Sequence, residues 1–212
     1  HPFETEIRPG DEAGEQPHVR GVPEELARGY SIQQQADFIE GGLRMIGLTE
    51  NFGRFVVLCG HGSTTDNNPY SAALDCGACG GRHGDPNART FAAMANNPLV
   101  RTELLQRGID VPQDTWFLPA KHDTTADKVS FYDEVDVPES HRDDLLKFKL
   151  ACIEGGEQQA LDRCKRIPGT PKKMTAKQAF AHVESRSFDW ANSRPEWGLS
   201  GNAAFIVGRR AM

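Results

Sequence analysis

The sequence predicts an α/β fold, a layered and mostly parallel sheet flanked by helices. Segments of helical period alternate along the chain with short apolar runs, an order that gives a sheet covered by helices. The run Phe55-Val-Val-Leu58 is rich in β-branched residues and lies between Gly53 and Gly60, as expected of a buried strand of a parallel sheet. Between the runs stand Ser, Asn-Pro and Gly signals that start and stop helices.

Residues 1–30 read as a polar arm or linker, acidic and punctuated by Pro2, Pro9, Pro17 and Pro23 without a periodic apolar pattern. Residues 31–212 read as one α/β half-domain. Its first helix starts at Ser31, with Gln34 three residues on as a capping box, and Ile32, Ala36, Ile39, Leu43 and Ile46 fall on one face. Gly41 and Gly42 weaken that helix. After the strand comes a polar loop over residues 63–86, then a helix over 87–96 and a second one opened by Asn97-Pro98 and closed by Gly108. Thr115-Trp-Phe-Leu118 is the next strand, leading into Lys121-His-Asp-Thr-Thr125. From Ser140 the chain turns helical, with a break expected at Gly155-Gly156, and Cys152 and Cys164 read as small buried hydrophobes on that face. A short helix over 176–183 follows, and Ala203-Ala-Phe-Ile-Val207 is a third strand. The chain starts at His1 and carries that strand to within five residues of its end, so it is expected to continue beyond both ends.

Lysine and arginine total 24 against 30 aspartates and glutamates, a formal charge of −6, which argues against a nucleic-acid footprint. No run of about 18 apolar residues occurs, so membrane association is expected through a partner. Five cysteines without a signal-peptide pattern fit reduced, cytosolic thiols.

The chemistry concentrates after Phe55. His61, in Cys59-Gly-His-Gly-Ser63, and Cys76, in Asp75-Cys-Gly-Ala-Cys-Gly-Gly81, place an imidazole and a thiol 15 positions apart on glycine-rich backbone. Zinc takes thiolate sulfur and imidazole nitrogen in tetrahedral geometry, and the glycines suit a loop wrapped round an ion or an ordinary tight turn. A buried structural thiol is the competing reading of Cys76. Cys59, His61, Cys76 and Cys79 together would make a closed, structural site, because residues two apart on a strand share a face. Cys76-x-x-Cys79 as a redox dithiol is disfavoured by Gly80-Gly81 where a helix start is wanted. His122-Asp123 with Thr124 and Thr125 is either a proton acceptor with hydroxyl donors or a turn capped by aspartate. Arg194 and Glu196 beside Trp197 read as an ion pair holding the last loop.

Val56-Val-Leu-Cys-Gly-His-Gly-Ser63, Asn67-Asn-Pro69, Asp75-Cys-Gly-Ala-Cys-Gly-Gly81, Asn87-Ala-Arg89, His122-Asp-Thr-Thr125 and Arg194-Pro-Glu-Trp-Gly-Leu199 with Asn202 closely resemble, in order, the DabA family of inorganic-carbon accumulation subunits. That family is similar to β-carbonic anhydrases, so the resemblance implies that this chain holds half of a β-carbonic anhydrase-like domain. By the match His61 and Cys76 are zinc ligands. The two remaining ligands, a cysteine and an aspartate of a Cys-x-Asp segment, are absent from the 212 residues and are expected in preceding sequence. The resemblance further implies Zn2+ as cofactor, hydration of CO2 to bicarbonate, a membrane-embedded antiporter-like partner of the DabB type, and a peripheral place on the cytoplasmic face of the cell membrane. It also implies that this stretch alone is inactive. A binding or scaffold module holding a structural zinc is the alternative.

Overall fold

The computed structural model describes residues 29–66, 75 and 80–191. Among them α1 (Ile32–Ile46), β1 (Phe55–Gly62), α2 (Asp85–Asn96), α3 (Pro98–Gln106), β2 (Trp116–Asp123), β3 (Lys128–Phe131), α4 (Arg142–Cys164) and α5 (Ala176–Arg186) follow in order, with two short 3-10 turns between β3 and α4. The three strands form a small sheet in the order β1-β2-β3. No helix of the described residues is long and apolar enough to cross a membrane.

Local chemistry accounts for the first helix. Ser31 Oγ accepts from the Gln34 N–H at 3.2 Å while Gln34 Oε1 accepts from the Ser31 N–H at 2.9 Å, so two otherwise orphaned donors are satisfied. Gly47, at φ 76°, closes the helix in the left-handed region. Ala36, Ile39 and Leu43 are fully buried as the stripe requires, whereas Ile46, the last residue of the helix, is 62% exposed. The pair Asn97-Pro98 caps α3 as expected, the Asn97 side chain accepting from the Leu99 N–H at 2.9 Å.

Two hydrogen bonds give the strand directions. Trp116 N–H donates to Arg54 O and Thr124 N–H to Gly62 O, so positions advance together along both strands and β1 and β2 are parallel. β2 and β3 form an antiparallel hairpin, joined by residues 124–127, in which Tyr132 N–H donates to Pro119 O. The sheet is therefore mixed. β1 and β2 each run several residues past their expected ends at Leu58 and Leu118.

One expectation is overturned. α4 runs unbroken for 23 residues through Gly155 and Gly156. The glycine at 156 serves a close approach, since a Cβ there would lie 2.5 Å from the Asp127 carbonyl oxygen. Cys164 is buried on that helix, as expected, and Cys152 is half-buried. The strand expected at 203–207 and the pair Arg194 and Glu196 lie outside the described residues.

The described residues divide into two compact units, the division falling after Leu58 in β1 and after Ala120 in β2. In the unit holding α1, α2 and α3, Ile39, Leu43, Ala95, Val100, Leu104, Ile109 and Phe117 are fully buried together. In the unit holding α4 and α5, Ala160, Cys164, Ile167, Ala179 and Val183 form the apolar centre.

Candidate metal centre at the end of the first strand

His61 is the penultimate residue of β1 and half-buried. Its backbone carbonyl accepts from the Gly84 N–H at 2.7 Å. The same approach explains the preceding glycine, for a Cβ at Gly60 would stand 2.5 Å from the Gly84 carbonyl carbon. Only a residue without a side chain lets the 84–85 backbone lie flat on the strand at that point.

The parallel register sets what stands next to His61. With Thr124 N–H on Gly62 O, Gly62 lies opposite Asp123, which places His61 opposite His122 with both side chains on one face of the sheet. His122 Nε2 is 3.7 Å from Asp127 Oδ1. Asp127 is in turn held by Arg163 from α4, whose Nη1 lies 2.6 Å from Asp127 Oδ2 and donates to Thr125 O, while Nη2 donates to Thr124 O. Both side chains of this ion pair are almost fully buried, at 1% and 3% exposure. The His122-Asp-Thr-Thr125 motif is thus a turn fastened from beneath. Asp123 Oδ1 accepts from the Thr125 N–H at 3.0 Å, which is the aspartate-capped turn, and also from the Thr64 N–H at 3.1 Å.

The chain leaving His61 is tied residue by residue. Ser63 donates to Asp75 Oδ1 twice, from its N–H at 2.8 Å and from Oγ at 3.2 Å. His83 Nε2 lies 3.3 Å from Ser63 O and 3.4 Å from Asp75 Oδ1. Thr65 Oγ1 and the Asp66 N–H both donate to Ser187 O. Consecutive backbone donors at 63 and 64 therefore end on two well-buried carboxylates from different parts of the sequence.

Cys59 lies two residues before His61 on β1 and so on the same face. Desolvation by its surroundings pushes its thiol pKa up, against a lowering backbone hydrogen bond at His122. Cys76 and Cys79 lie outside the described residues. Among the described residues no group of three or more His, Cys, Asp or Glu is placed to hold a metal ion. The donor chemistry nonetheless fits zinc: a half-buried imidazole at a strand end, with Cys76 adjoining the anchored Asp75 in sequence. Asp75 and His83 as anchors, and Asp127 and Arg163 as the support of His122, were not legible in the sequence. The one available signal was an arginine at 163 set between Ala160 and Cys164 on an otherwise apolar face.

Three relatives show what this arrangement belongs to. The chain is 45% identical over 190 residues to the "Probable inorganic carbon transporter subunit DabA" of Methylococcus capsulatus, covering 90% of this chain and 18% of that protein. It is 45% identical over 190 residues to subunit DabA 1 of Nitrobacter winogradskyi, with 89% and 18% covered. To DabA1 of Halothiobacillus neapolitanus it is 44% identical over 189 residues, with 88% and 18% covered. The chain thus spans about a fifth of the length of these relatives. No solved structure matches it. The family model described as "Probable inorganic carbon transporter subunit DabA" matches residues 3–212, nearly the whole sequence, and the chain belongs to the DabA family.

Proposed function

We propose that this chain supplies half of a zinc centre in a subunit of an energy-coupled inorganic carbon uptake complex, in which CO2 is hydrated to bicarbonate. Family membership and the relatives' names support the carbon-uptake part of the reading. The observation that carries the metal part is the bond from Ser63 to Asp75. It anchors Asp75, the residue before Cys76 in sequence, to the residue two beyond His61, which supports the reading of both as ligands of one ion.

In this reading His61 and Cys76 hold the metal from this chain, and a Cys-x-Asp segment elsewhere in the full protein supplies the rest. When bound, zinc supplies a Lewis acid that brings the pKa of a water near neutrality. The chain's own residues hold and orient. Gly60 and Gly84 fix the His61 backbone, Asp123 and Asp75 fix the exit, and Arg163 through Asp127 fixes the turn that carries His122 beside His61. The subunit works at the cytoplasmic face of the membrane against a membrane-embedded antiporter-like partner of the DabB type, which makes accumulation of bicarbonate directional.

The test is metal content of the full-length protein. About one zinc per chain is expected, lost in His61→Ala and in Cys76→Ala, and zinc retained in both variants overturns the reading. A second reading rests on Cys59 and His61 sharing a strand face: a structural zinc held by Cys59, His61, Cys76 and Cys79 in a scaffold module. There, Cys59→Ala and Cys79→Ala release metal and lower the melting temperature. In the catalytic reading both leave zinc in place.

A further inference from the structure

Asp75 is about halfway through a glycine-rich and polar stretch, yet its side chain is only 10% exposed and is engaged on one oxygen by three groups. The Ser63 N–H and Ser63 Oγ both donate to Oδ1, and His83 Nε2 stands 3.4 Å from the same atom. His83 also lies 3.3 Å from the Ser63 carbonyl oxygen, so imidazole and carboxylate together grip both polar ends of Ser63. On the other side of the same strand end, Gly84, the residue after His83, donates to the His61 carbonyl oxygen at 2.7 Å. Two segments distant in sequence thus seize the backbone immediately before and after Gly62.

Such an arrangement costs conformational entropy and desolvates a carboxylate. A loop that merely connects two elements has no need of it. Outer residues that fix the orientation of a ligand are the usual means of holding a metal site at its working geometry.

We infer that Asp75, with His83 as its partner, is a positioning residue for the metal centre: it holds Ser63, two residues beyond His61, and so, together with Gly84 on the His61 carbonyl, fixes the strand end that presents His61. This rests on His61 and Cys76 being ligands. Asp75 acts through its acceptor oxygen on Ser63, not as a ligand itself, so an amide at the same place should serve nearly as well as the carboxylate.

The experiment uses the full-length protein with its membrane partner and measures zinc affinity by chelator competition, with the visible spectrum of the cobalt-substituted protein as a second readout. Asp75→Ala is expected to weaken zinc binding about ten- to a hundredfold and to shift the cobalt bands, whereas Asp75→Asn keeps affinity within about threefold of the parent. His83→Gln should show a smaller loss in the same direction. Where Asp75→Ala does not fold, Ser63→Ala removes only the 3.2 Å hydroxyl contact, and a severalfold loss of affinity is expected. Parent-like zinc affinity and cobalt bands in Asp75→Ala, or in Ser63→Ala where the former is unfolded, overturn the inference while leaving the ligand assignment standing. Equal losses in Asp75→Asn and Asp75→Ala also overturn it, since they make the charge rather than the acceptor the operative feature. Zinc retained in both His61→Ala and Cys76→Ala removes the ligand assignment on which the inference rests, an outcome separate from the others.

Discussion

Arg163 Nη1 and Asp127 Oδ2 stand 2.6 Å apart with almost no solvent on either side chain. The pair joins the C-terminal end of a long helix to the turn between β2 and β3, and the guanidinium also holds the carbonyls of Thr124 and Thr125. A buried pair of this kind is weak evidence for net stability, but removing one partner strands the other in a poor solvent.

Arg163→Met is therefore expected to destabilise the fold by about 3 to 5 kcal/mol, whereas the double change Arg163→Met with Asp127→Leu recovers part of the loss. Thermal unfolding of the single and double variants checks this. Equal melting temperatures for parent and single variant would show that the pair contributes nothing.

The two adjacent glycines of α4 should respond oppositely to the same substitution. Gly155→Ala meets nothing within 4 Å and gains helix propensity, so stability rises by about 0.5 to 1 kcal/mol. Gly156→Ala drives a methyl to 2.5 Å from the Asp127 carbonyl oxygen and lowers stability by about 1 to 3 kcal/mol. Unfolding curves for the two variants, measured side by side, decide it.

Gly60→Ala tests the strand end that carries His61. The added Cβ would fall 2.5 Å from Gly84 and 2.6 Å from the Asp85 nitrogen, both backbone, so the strand and the 84–85 segment must separate. Zinc content of the full-length variant is expected to fall with only a modest drop in melting temperature. Full zinc occupancy would show that the approach is not needed.

Acid sensitivity has a named contributor. Burial first, and the neighbouring Arg186 second, lower the pKa of His182, whose Nε2 accepts from Arg186 Nε at 2.9 Å. The unfolded chain then binds the proton more readily than the folded one, so this contribution is present above the ordinary histidine pKa of about 6.5 and fades as pH falls through the lowered value. His182→Gln should flatten the loss of melting temperature below about pH 6.5. An unchanged pH slope in that variant would exclude His182 as its source.

What could be read from the sequence was the chemistry that acts within a few residues. The Ser31 and Gln34 capping box and the Asn97-Pro98 start both lie where local hydrogen bonding puts them. β2 outran its expected end because Pro119, which lacks an N–H and usually stops a strand, here contributes only its carbonyl, to Tyr132. β3, four residues long, gives too short an alternation to register. The glycine pair in α4 misled for a related reason: propensity disfavours it, but the nearby Asp127 backbone demands it. The place of His61 at a strand exit could be read from the apolar run and the glycines that follow it. Its neighbour His122 and its anchors depend on strand register and on contacts 12 to 122 residues apart, which no local pattern encodes.

The ties on the segment after His61 also dictate a schedule of assembly. Ser63 closes on Asp75 soon after both are made, Thr64 waits for Asp123, and Thr65 and Asp66 wait for Ser187. Closing wide loops is slow and yields little until the last contact forms. The segment that leaves the first strand is consequently among the last parts to set, and a nascent chain stopped short of Ser187 emerges with Thr65 and Asp66 still lacking that tie.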